Sequence, residues 1–223
     1  MAATLALGFW QLSRAAQKEA LQASQLARSK LAPVQVRELV QASDYEPLVH
    51  RQASLRGTWV PARTIFLDNR QMNGKPGFYV VTPLLLEGLD KAVIIERGWV
   101  QRNFLDRTQL PQVPTPPGIV EVVGRIAPPP SKLYAFKGAD SGVIRQNLDV
   151  AAFSAEIGLN LVVVSLMQTT AADDGLQREW PQPSLGVPKH YGYTFQWWAL
   201  SALIATLYVW FQIVRRLRPP PRA

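Results

Sequence analysis

The sequence predicts a membrane-anchored α+β protein. In this fold class, two transmembrane helices flank a mainly antiparallel β domain, which is a sheet or a partly closed barrel with one small helix. Three observations lead to it. The ends of the 223-residue chain are apolar, whereas the middle is a proline-rich block of mixed polarity. That block contains short stretches rich in Val, Ile, Leu, Thr and aromatic residues, which favour strands. Basic residues gather at the C-terminal end, beside an apolar run.

The strongest transmembrane signal lies at residues 191–214. The sequence has no Asp, Glu, Lys or Arg between Lys189 and Arg215, and about 20 helical residues span the roughly 30 Å hydrocarbon core of a membrane. Tyr and Trp cluster near both ends, which is typical of an interfacial belt. The alternative is a buried core helix. The basic tail, residues 215–223, contains four arginines and predicts a cytoplasmic C-terminus by the positive-inside rule.

Residues 1–14 begin with a largely apolar stretch that ends at Ser13 and Arg14. As a helix this stretch would reach only about 18 Å, which is too short to span a membrane. A cleaved signal peptide is one interpretation, but a basic start and an obvious small-residue cleavage site are missing. We interpret residues 1–14 as the outer part of a first transmembrane helix whose beginning lies outside this chain. Residues 15–32 lack Gly and Pro and predict a helical extension.

Residues 33–188 are predicted to form an extracytoplasmic, mainly β domain. Six stretches enriched in strand-forming residues are separated by Gly and Pro: Ala53–Val60, Thr64–Asn69, Phe78–Leu86, Ala92–Val100, Val120–Ile126 and Leu161–Gln168. The sequence Glu87–Asp90 predicts a hairpin connection between the third and fourth of them. One helix is predicted at Val150–Ile157, with Asp149 as its N-cap and Gly158 as its C-terminal stop.

Composition and charge exclude several classes of function. The sequence has no cysteine, which excludes disulfides, thiolate nucleophiles and iron–sulfur clusters, and it has only two histidines, which disfavours a multi-histidine metal centre. Without the basic tail, the net charge of +8 falls to 20 basic against 16 acidic residues, so we expect no nucleic-acid partner. The sequence contains no nucleophile elbow, phosphate-binding loop or H-E-x-x-H motif, and we predict that the protein is not an enzyme.

His190 is the residue we single out for chemistry, as a candidate metal ligand. It lies just before the C-terminal apolar run. On a helix, His190, Thr194 and Trp197 share a face, with Tyr193 beside them. A neutral imidazole can ligate a haem iron, and aromatic side chains can pack on a macrocycle. The alternative is that His190 is an ordinary interfacial residue.

Other conspicuous residues have simpler interpretations. Arg14 and Lys189, at similar predicted depth, can pair with haem propionates. His50 is interpreted as a surface or capping residue. The motifs Arg56-Gly57, Pro76-Gly77 and Arg97-Gly98-Trp99-Val100 are interpreted as core or turn architecture rather than as ligand contacts.

Taken in order along the chain, these short motifs resemble the Surfeit locus protein 1 family of cytochrome c oxidase assembly factors. The stretch Leu7–Arg14 matches the family pattern L-G-x-W-Q-x-x-R. The matches continue through the following groups: Arg56-Gly57, Pro76-Gly77, Thr82-Pro83-Leu84, Arg97–Val100, Lys189–Tyr193 and Gln196–Ala199. One departure is Trp198, which stands where the family usually has Phe.

The resemblance implies a two-helix inner-membrane protein that helps to mature the haem a site of subunit I of a haem–copper oxidase. It implies haem a as a transiently bound cofactor, with these candidate binding residues: His190, Tyr193, Trp197, Trp10 and Arg14. The implied partners are cytochrome c oxidase subunit I, other oxidase assembly factors and membrane lipid. The expected location is the bacterial inner membrane rather than the mitochondrial one, with a periplasmic middle domain. The alternative is a membrane scaffold that stabilises an oxidase assembly intermediate without binding haem.

Overall fold

The computed structural model describes residues 1–106, 108–130, 142–180 and 186–214. The predicted basic tail, residues 215–223, lies outside these residues. The chain divides into two compact units. One, which we call the helical unit, comprises Met1–Gln25 and Gln182–Ala223; the other, the sheet unit, comprises Leu26–Pro181.

The described residues form four α-helices and seven strands. The helices are α1 (Ala2–Ser29), α2 (Val36–Gln41), α3 (Val150–Ile157) and α4 (Val187–Val209), and a π-helical turn, Trp210–Val214, follows α4. The strands are β1 (Gln52–Trp59), β2 (Ile65–Met72), β3 (Lys75–Leu86), β4 (Ala92–Gln101), β5 (Ile119–Ala127), β6 (Ile144–Arg145) and β7 (Leu161–Gln168).

The six predicted strands and the predicted small helix are confirmed. The helix and the last predicted strand have the predicted bounds, and the ends of the other strands differ from the prediction by at most three residues. Asp149 caps α3 as expected, because its side chain accepts hydrogen bonds from the backbone N–H groups of Ala151 and Ala152. Gly158 ends the helix in the left-handed conformation, at φ 67°. The additional strand, β6, is only two residues long, which is too short to leave a periodic signal in the sequence.

The strands form one sheet that closes on itself. Within the described residues, the strand order is β1-β5-β7-β4-β3-β2-β6, and β1 also pairs with β3. That additional pairing joins β1, β5, β7, β4 and β3 into a ring. The long strand β3 makes this possible, since its first part pairs with β2 and its last residues, Leu84–Leu86, pair with β1.

The predicted mainly antiparallel domain is corrected to a mixed sheet. Among the described strands, β4 pairs with β7 and β2 pairs with β6 in parallel. Parallel neighbours require a crossover connection. Helix α3 lies on the connection that leads into β7, and it packs with β2 and β4 in one apolar cluster through Phe153 and Ile157.

Apolar residues cover both faces of β4, which is why the sheet forms a well-packed unit. Val93 and Ile95 belong to a cluster that includes Leu39 of α2, whereas Ala92 and Ile94 belong to the cluster beneath α3. Successive residues of a strand point to opposite faces. The alternation along β4 therefore separates two cores, one on each face of the sheet.

Gly57 permits the closure of the ring. At this residue β1 lies between two strands, opposite Val120 of β5 and Leu86 of β3. A Cβ atom at position 57 would lie 2.2 Å from the backbone oxygen of Leu85. A backbone oxygen cannot turn aside as a side chain can, so only glycine allows this approach. The interpretation of Arg56-Gly57 as architecture is confirmed.

The two predicted membrane spans are wrong. Among the described residues, no helix combines the length and the apolarity that crossing a membrane requires. Helix α1 is long, but its apolar stretch ends within the first half, where Arg14, Lys18 and Glu19 follow. About 20 predominantly apolar residues are needed for one crossing.

Helix α4 lacks the apolarity needed to cross a membrane for a different reason. It includes most of residues 191–214, but polar residues such as Thr194, Gln196 and Ser201 interrupt the run. Many of the remaining side chains are Tyr or Trp, whose polar groups make them less apolar than Leu or Ile. The absence of charged residues in this stretch was therefore a poor guide to its mean hydropathy.

We expect Gly57→Ala to lower the free energy of unfolding by about 2 kcal/mol or more, because the added methyl group must displace the backbone of β3. The measurement is urea unfolding of the full chain, followed by circular dichroism. Gly74→Asn is the matched control: Gly74 has φ 74° with open space around it, and Asn tolerates that conformation. Equal stability of the two variants would contradict the role of Gly57 in closure.

Candidate functional site

The helical unit is an antiparallel pair of helices with small residues between them. The buried residues are Gly8 and Ala15 in α1 and Thr194 and Ser201 in α4, seven residues apart in each helix. Such spacing keeps one stripe of each helix facing its partner. Beside the N-terminal end of α1, Ser201 Oγ of α4 donates a hydrogen bond to the carbonyl of Met1.

Aromatic packing fixes the separation of the two helices. A Cβ atom at Gly8 would lie 2.2 Å from Nε1 of Trp198, so the glycine leaves room for the indole. The Phe9 ring meets the same indole edge to face, with centroids 5.5 Å apart and planes at 65°. This geometry is the favourable one for an aromatic pair.

His190 is held by a residue of the other helix. Its Nδ1 lies 2.7 Å from Oε1 of Gln11. A carboxamide oxygen only accepts hydrogen bonds, so Nδ1 carries the proton and donates it. In the neutral imidazole, Nε2 is then the unprotonated nitrogen, and the described part of the chain provides no hydrogen bond to it. The arrangement presents one neutral imidazole nitrogen to a metal ion or to a hydrogen-bond donor.

Two further hydrogen bonds hold this end of α4. Thr194 Oγ1 donates to the carbonyl of His190 at 2.9 Å, and the Tyr191 hydroxyl donates to Oε1 of Glu19 at 2.9 Å. The hydrogen bond to Glu19 raises the pKa of Tyr191. Together with Gln11, Glu19 ties the start of α4 to α1 at two points.

The other candidate residues are only partly brought together. Arg14 lies over the Trp10 ring, 5.5 Å from its centroid. Trp10 and Tyr193 are about half exposed, at 50% and 52%, whereas Trp197 is half-buried. Among the contacts of the described residues, no hydrogen bond or ring contact joins His190 to these four side chains.

Gln11 is the site residue that the sequence interpretation missed. It belongs to the motif Leu7–Arg14, in which the sequence pattern alone indicates no role for it. The position of Gln11 in the sequence indicates that it faces the other helix, because it falls between Gly8 and Ala15 at the spacing of the buried stripe. A polar residue on that stripe needs a partner from the facing helix.

The sheet unit contains a separate cavity of about 510 Å³. Its apolar lining includes Trp59, Pro116 and Val122, and its polar lining includes Arg97 and Gln168. The exposed carboxylates of Glu121 and Asp173 also line it. A cavity of this size, which combines apolar walls with polar and charged side chains, can hold a small ligand or an inserted side chain.

Arg97 is a buried charge in the lining of this cavity. It is the extra residue of a β-bulge, because Glu96 pairs with Val81 of β3 and Gly98 pairs with the preceding Val80. Its guanidinium donates to Oγ1 of Thr115 at 2.8 Å and to the carbonyl of Pro114 at 2.7 Å. It also stacks 4.8 Å from the centroid of the Trp59 ring.

Asp174 neutralises Arg97 and is shared with a second guanidinium. The Arg97 Nη2 lies 3.3 Å from Asp174 Oδ2, and the Arg178 Nη2 lies 2.5 Å from the same oxygen. The side chains of Arg97 and Asp174 are 3% and 4% exposed, so water does not screen the pair. Burial lowers the pKa of Arg97, and the neighbouring Asp174 opposes that shift.

Gly98 brings the chain segment of Asp174 against β4. A Cβ atom at Gly98 would lie 2.6 Å from Cβ of Leu176. The next residue, Trp99, exchanges two backbone hydrogen bonds with Gln177, at 2.7 and 2.8 Å. The indole Nε1 of Trp99 donates to the carbonyl of Arg70 at 2.9 Å. Gly98 and Trp99 therefore have the architectural role that the sequence interpretation gave to this motif.

We expect Asp174→Asn to lower the free energy of unfolding by about 3–5 kcal/mol, because it leaves two buried guanidinium groups without their carboxylate. Asp173→Asn, the exposed neighbour, should change it by no more than about 0.5 kcal/mol. Chemical unfolding of both variants at neutral pH measures the difference. If the two variants were equally stable, the pair would not have the structural role described.

The sequence is similar to proteins of a known family. A family description, "SURF1 family", matches residues 1–202. A SURF1-like protein of Rickettsia felis is 30% identical over 165 residues, which cover 70% of this chain and 67% of the relative. A SURF1-like protein of Rickettsia bellii is 26% identical over 215 residues, covering 91% of this chain and 83% of the relative.

A shorter match is to the yeast protein named cytochrome oxidase assembly protein SHY1. It is 27% identical over 97 residues, which cover 44% of this chain and 25% of the relative. The resemblance inferred from the ordered motifs is confirmed: the chain belongs to the SURF1 family.

Proposed function

We propose that the protein is an assembly factor for cytochrome oxidase, which binds haem a through His190 and assists its insertion into subunit I. Membership of the SURF1 family and the name of the yeast relative support the coarser role in oxidase assembly. The role is that of a carrier rather than of a catalyst, with haem a as its cargo.

The observation that carries the haem proposal is the hydrogen bond from His190 Nδ1 to Gln11. Histidines that ligate metals usually donate their other ring N–H to a protein acceptor, which fixes the tautomer and the ring orientation. Gln11 supplies such an acceptor, and the remaining nitrogen, Nε2, is the one that an iron ion requires. The donor set therefore fits a haem iron with one imidazole ligand from this chain.

Exposed aromatic and basic side chains of the same unit support the proposal. Trp10 and Tyr193 expose about half of their surfaces and can pack on a macrocycle. Arg14 is exposed and can pair with a propionate. When bound, haem a supplies an iron that accepts the imidazole; the chain's own part is to orient that imidazole and to hold the edge of the ring.

The proposed partners follow from the same role. They are subunit I of cytochrome c oxidase, other oxidase assembly factors and the lipid that surrounds them. We place the protein at the bacterial inner membrane. Two SURF1-like proteins of Rickettsia match 70% and 91% of this chain. These bacterial relatives support a bacterial member of the family.

We expect the full chain, purified from cells that make haem a, to show the absorption bands of haem a. His190→Ala should lose these bands because the iron loses its ligand. The control is His50→Asn, since His50 is the other histidine of the chain and its φ of 75° suits Asn. A colourless wild-type protein would count against haem binding, and equal haem content in the two variants would count against His190 as the ligand.

A second pair of variants tests the orientation of the imidazole. Gln11→Leu removes the acceptor and should weaken haem binding by about 10- to 100-fold, whereas Gln11→Glu keeps an acceptor and should keep the haem. Titration of each apoprotein with haem, followed by absorbance, gives the affinities. Equal affinities for the two variants would mean that Gln11 does not orient His190.

An alternative is favoured by the cavity of the sheet unit: a scaffold that binds an oxidase subunit or another assembly factor without holding haem. The lining of the cavity includes both apolar side chains and exposed carboxylates. Arg97 Nε and Gln168 Oε1 are buried without a hydrogen-bond partner among the described residues. Unpaired polar atoms beside a cavity are costly, and a docked polar group or a water molecule relieves that cost.

The scaffold predicts that the chain co-purifies with subunit I from a strain unable to make haem a. The double variant Glu121→Lys, Asp173→Lys reverses the charge at the cavity rim and should reduce the recovery of subunit I. Asp90→Lys, an exposed reversal outside the cavity lining, is the control. Loss of subunit I from the wild-type preparation whenever haem a is missing would favour the haem carrier instead.

A further inference from the structure

The hairpin between β2 and β3 ends in an exposed turn of two residues. Met72 pairs with Lys75, so Asn73 and Gly74 alone form the turn. Both residues have positive φ angles, 52° and 74°, as in a type I′ turn. Both are exposed, and a Cβ atom at Gly74 would meet nothing within 4 Å. Water therefore reaches the turn, and the described residues leave room for it to change shape.

The side chain of Asn73 is held by a residue from a distant part of the sheet unit. Its Nδ2 donates a hydrogen bond to Oε2 of Glu179 at 2.6 Å. Glu179 lies two positions after Gln177, which exchanges two backbone hydrogen bonds with Trp99 of β4. The hairpin tip is thus attached to the segment that runs along β4.

The pair Asn73-Gly74 also has a chemical property that the other asparagines of the chain lack. The backbone nitrogen of the residue after an asparagine can attack the side-chain carbonyl carbon, and a bulky following residue hinders this attack. Glycine has no side chain and is conformationally permissive. The sequence contains five asparagines, and Asn73 is the one that precedes a glycine.

We propose that Asn73 is a deamidation site and that its hydrogen bond to Glu179 slows the reaction. Hydroxide removes the proton of the Gly74 N–H, the nitrogen forms a bond to Cγ of Asn73, and the Cγ–Nδ2 bond breaks. Nδ2 takes a proton from water and leaves as ammonia, so that a cyclic imide joins the two residues. A second water molecule then opens the imide at either carbonyl and leaves aspartate or isoaspartate at position 73.

The hydrogen bond slows the attack because ring closure requires a different conformation of Asn73. Cγ must approach the nitrogen of Gly74, so both the backbone and the side-chain torsions of Asn73 have to change. The type I′ turn fixes the backbone, and Glu179 fixes the side chain. The turn therefore has to open, and the bond to Glu179 has to break, before the imide forms.

The products turn an attractive contact into a repulsive one. The amide of Asn73 donates to Glu179, whereas the carboxylate of either product only accepts. Because Glu179 is exposed, water screens the repulsion, so we expect a local loosening rather than unfolding. Isoaspartate also adds a carbon atom to the backbone of a turn whose geometry depends on two residues.

Ageing of the purified full chain at mildly alkaline pH, followed by peptide mass spectrometry, tests the site. Asn73 should be converted to the two acids. Asn69 is the internal control, because it is also exposed and has a φ of 59°, but Arg70 follows it; it should stay intact. Retention of Asn73 in the folded chain, under conditions that convert it in urea, would overturn the proposal.

Two substitutions of Glu179 test its effect on the rate. Glu179→Ala removes the acceptor and should speed the conversion of Asn73 by up to about fivefold, the factor expected for one hydrogen bond. Glu179→Gln keeps an acceptor oxygen and should stay within about twofold of the wild-type rate. Equal rates in the wild-type protein and both variants would show that Glu179 does not protect Asn73.

The effect of the product is tested with Asn73→Asp, which places the carboxylate directly. Backbone amides of residues 177–180 should exchange with solvent about two- to fivefold faster than in the wild-type protein. Adding Glu179→Gln removes the repulsion and should restore slow exchange, whereas Glu179→Gln alone should change little. If Asn73→Asp exchanged as slowly as the wild-type protein, the product would not act on this segment.

Discussion

The arrangement of the sheet unit depends on the buried ion pair of Arg97 and Asp174. It joins β4 to two segments outside the strand ladder: the loop that contains Pro114 and Thr115, and the segment around Asp174. A guanidinium in this environment is costly unless its donors and its charge are satisfied. Both segments must therefore be in place for β4 to keep its bulge, and the cavity is the space that remains between them.

The fold could be predicted locally but not globally. Strands and the helix α3 were recoverable because runs of branched residues, an Asp cap and a Gly stop act within a few positions. Strand order and direction depend on packing between distant residues, so the β1–β3 closure and the parallel β4–β7 pair had no local signal. The predicted spans failed because residues 191–214 were judged by missing charges, whereas polar and aromatic side chains also lower the mean hydropathy.

The candidate site could be predicted only in part, for a related reason. His190 was recognisable from its type and position, but its orientation depends on Gln11, which lies 179 positions away. Asp174 and Arg97 are separated by 77 positions. A single sequence shows spacing along the chain, whereas hydrogen-bond partners are selected by the folded surface. Glu96 illustrates the same limit, since it accepts a hydrogen bond from Ser165 Oγ only because β7 lies beside β4 in the fold.

The closed ring also determines how the sheet unit meets other molecules. Among the described strands, β1, β3, β4, β5 and β7 have a neighbouring strand on each side for at least part of their length. The outer side of β2 is covered by β6 only at Phe66 and Leu67. Beyond that point the β2–β3 register shifts, and Asn69 takes a φ of 59°. A bent strand that carries charged residues is a poor template for a foreign strand. This geometry disfavours the addition of a foreign strand at the outer side of β2.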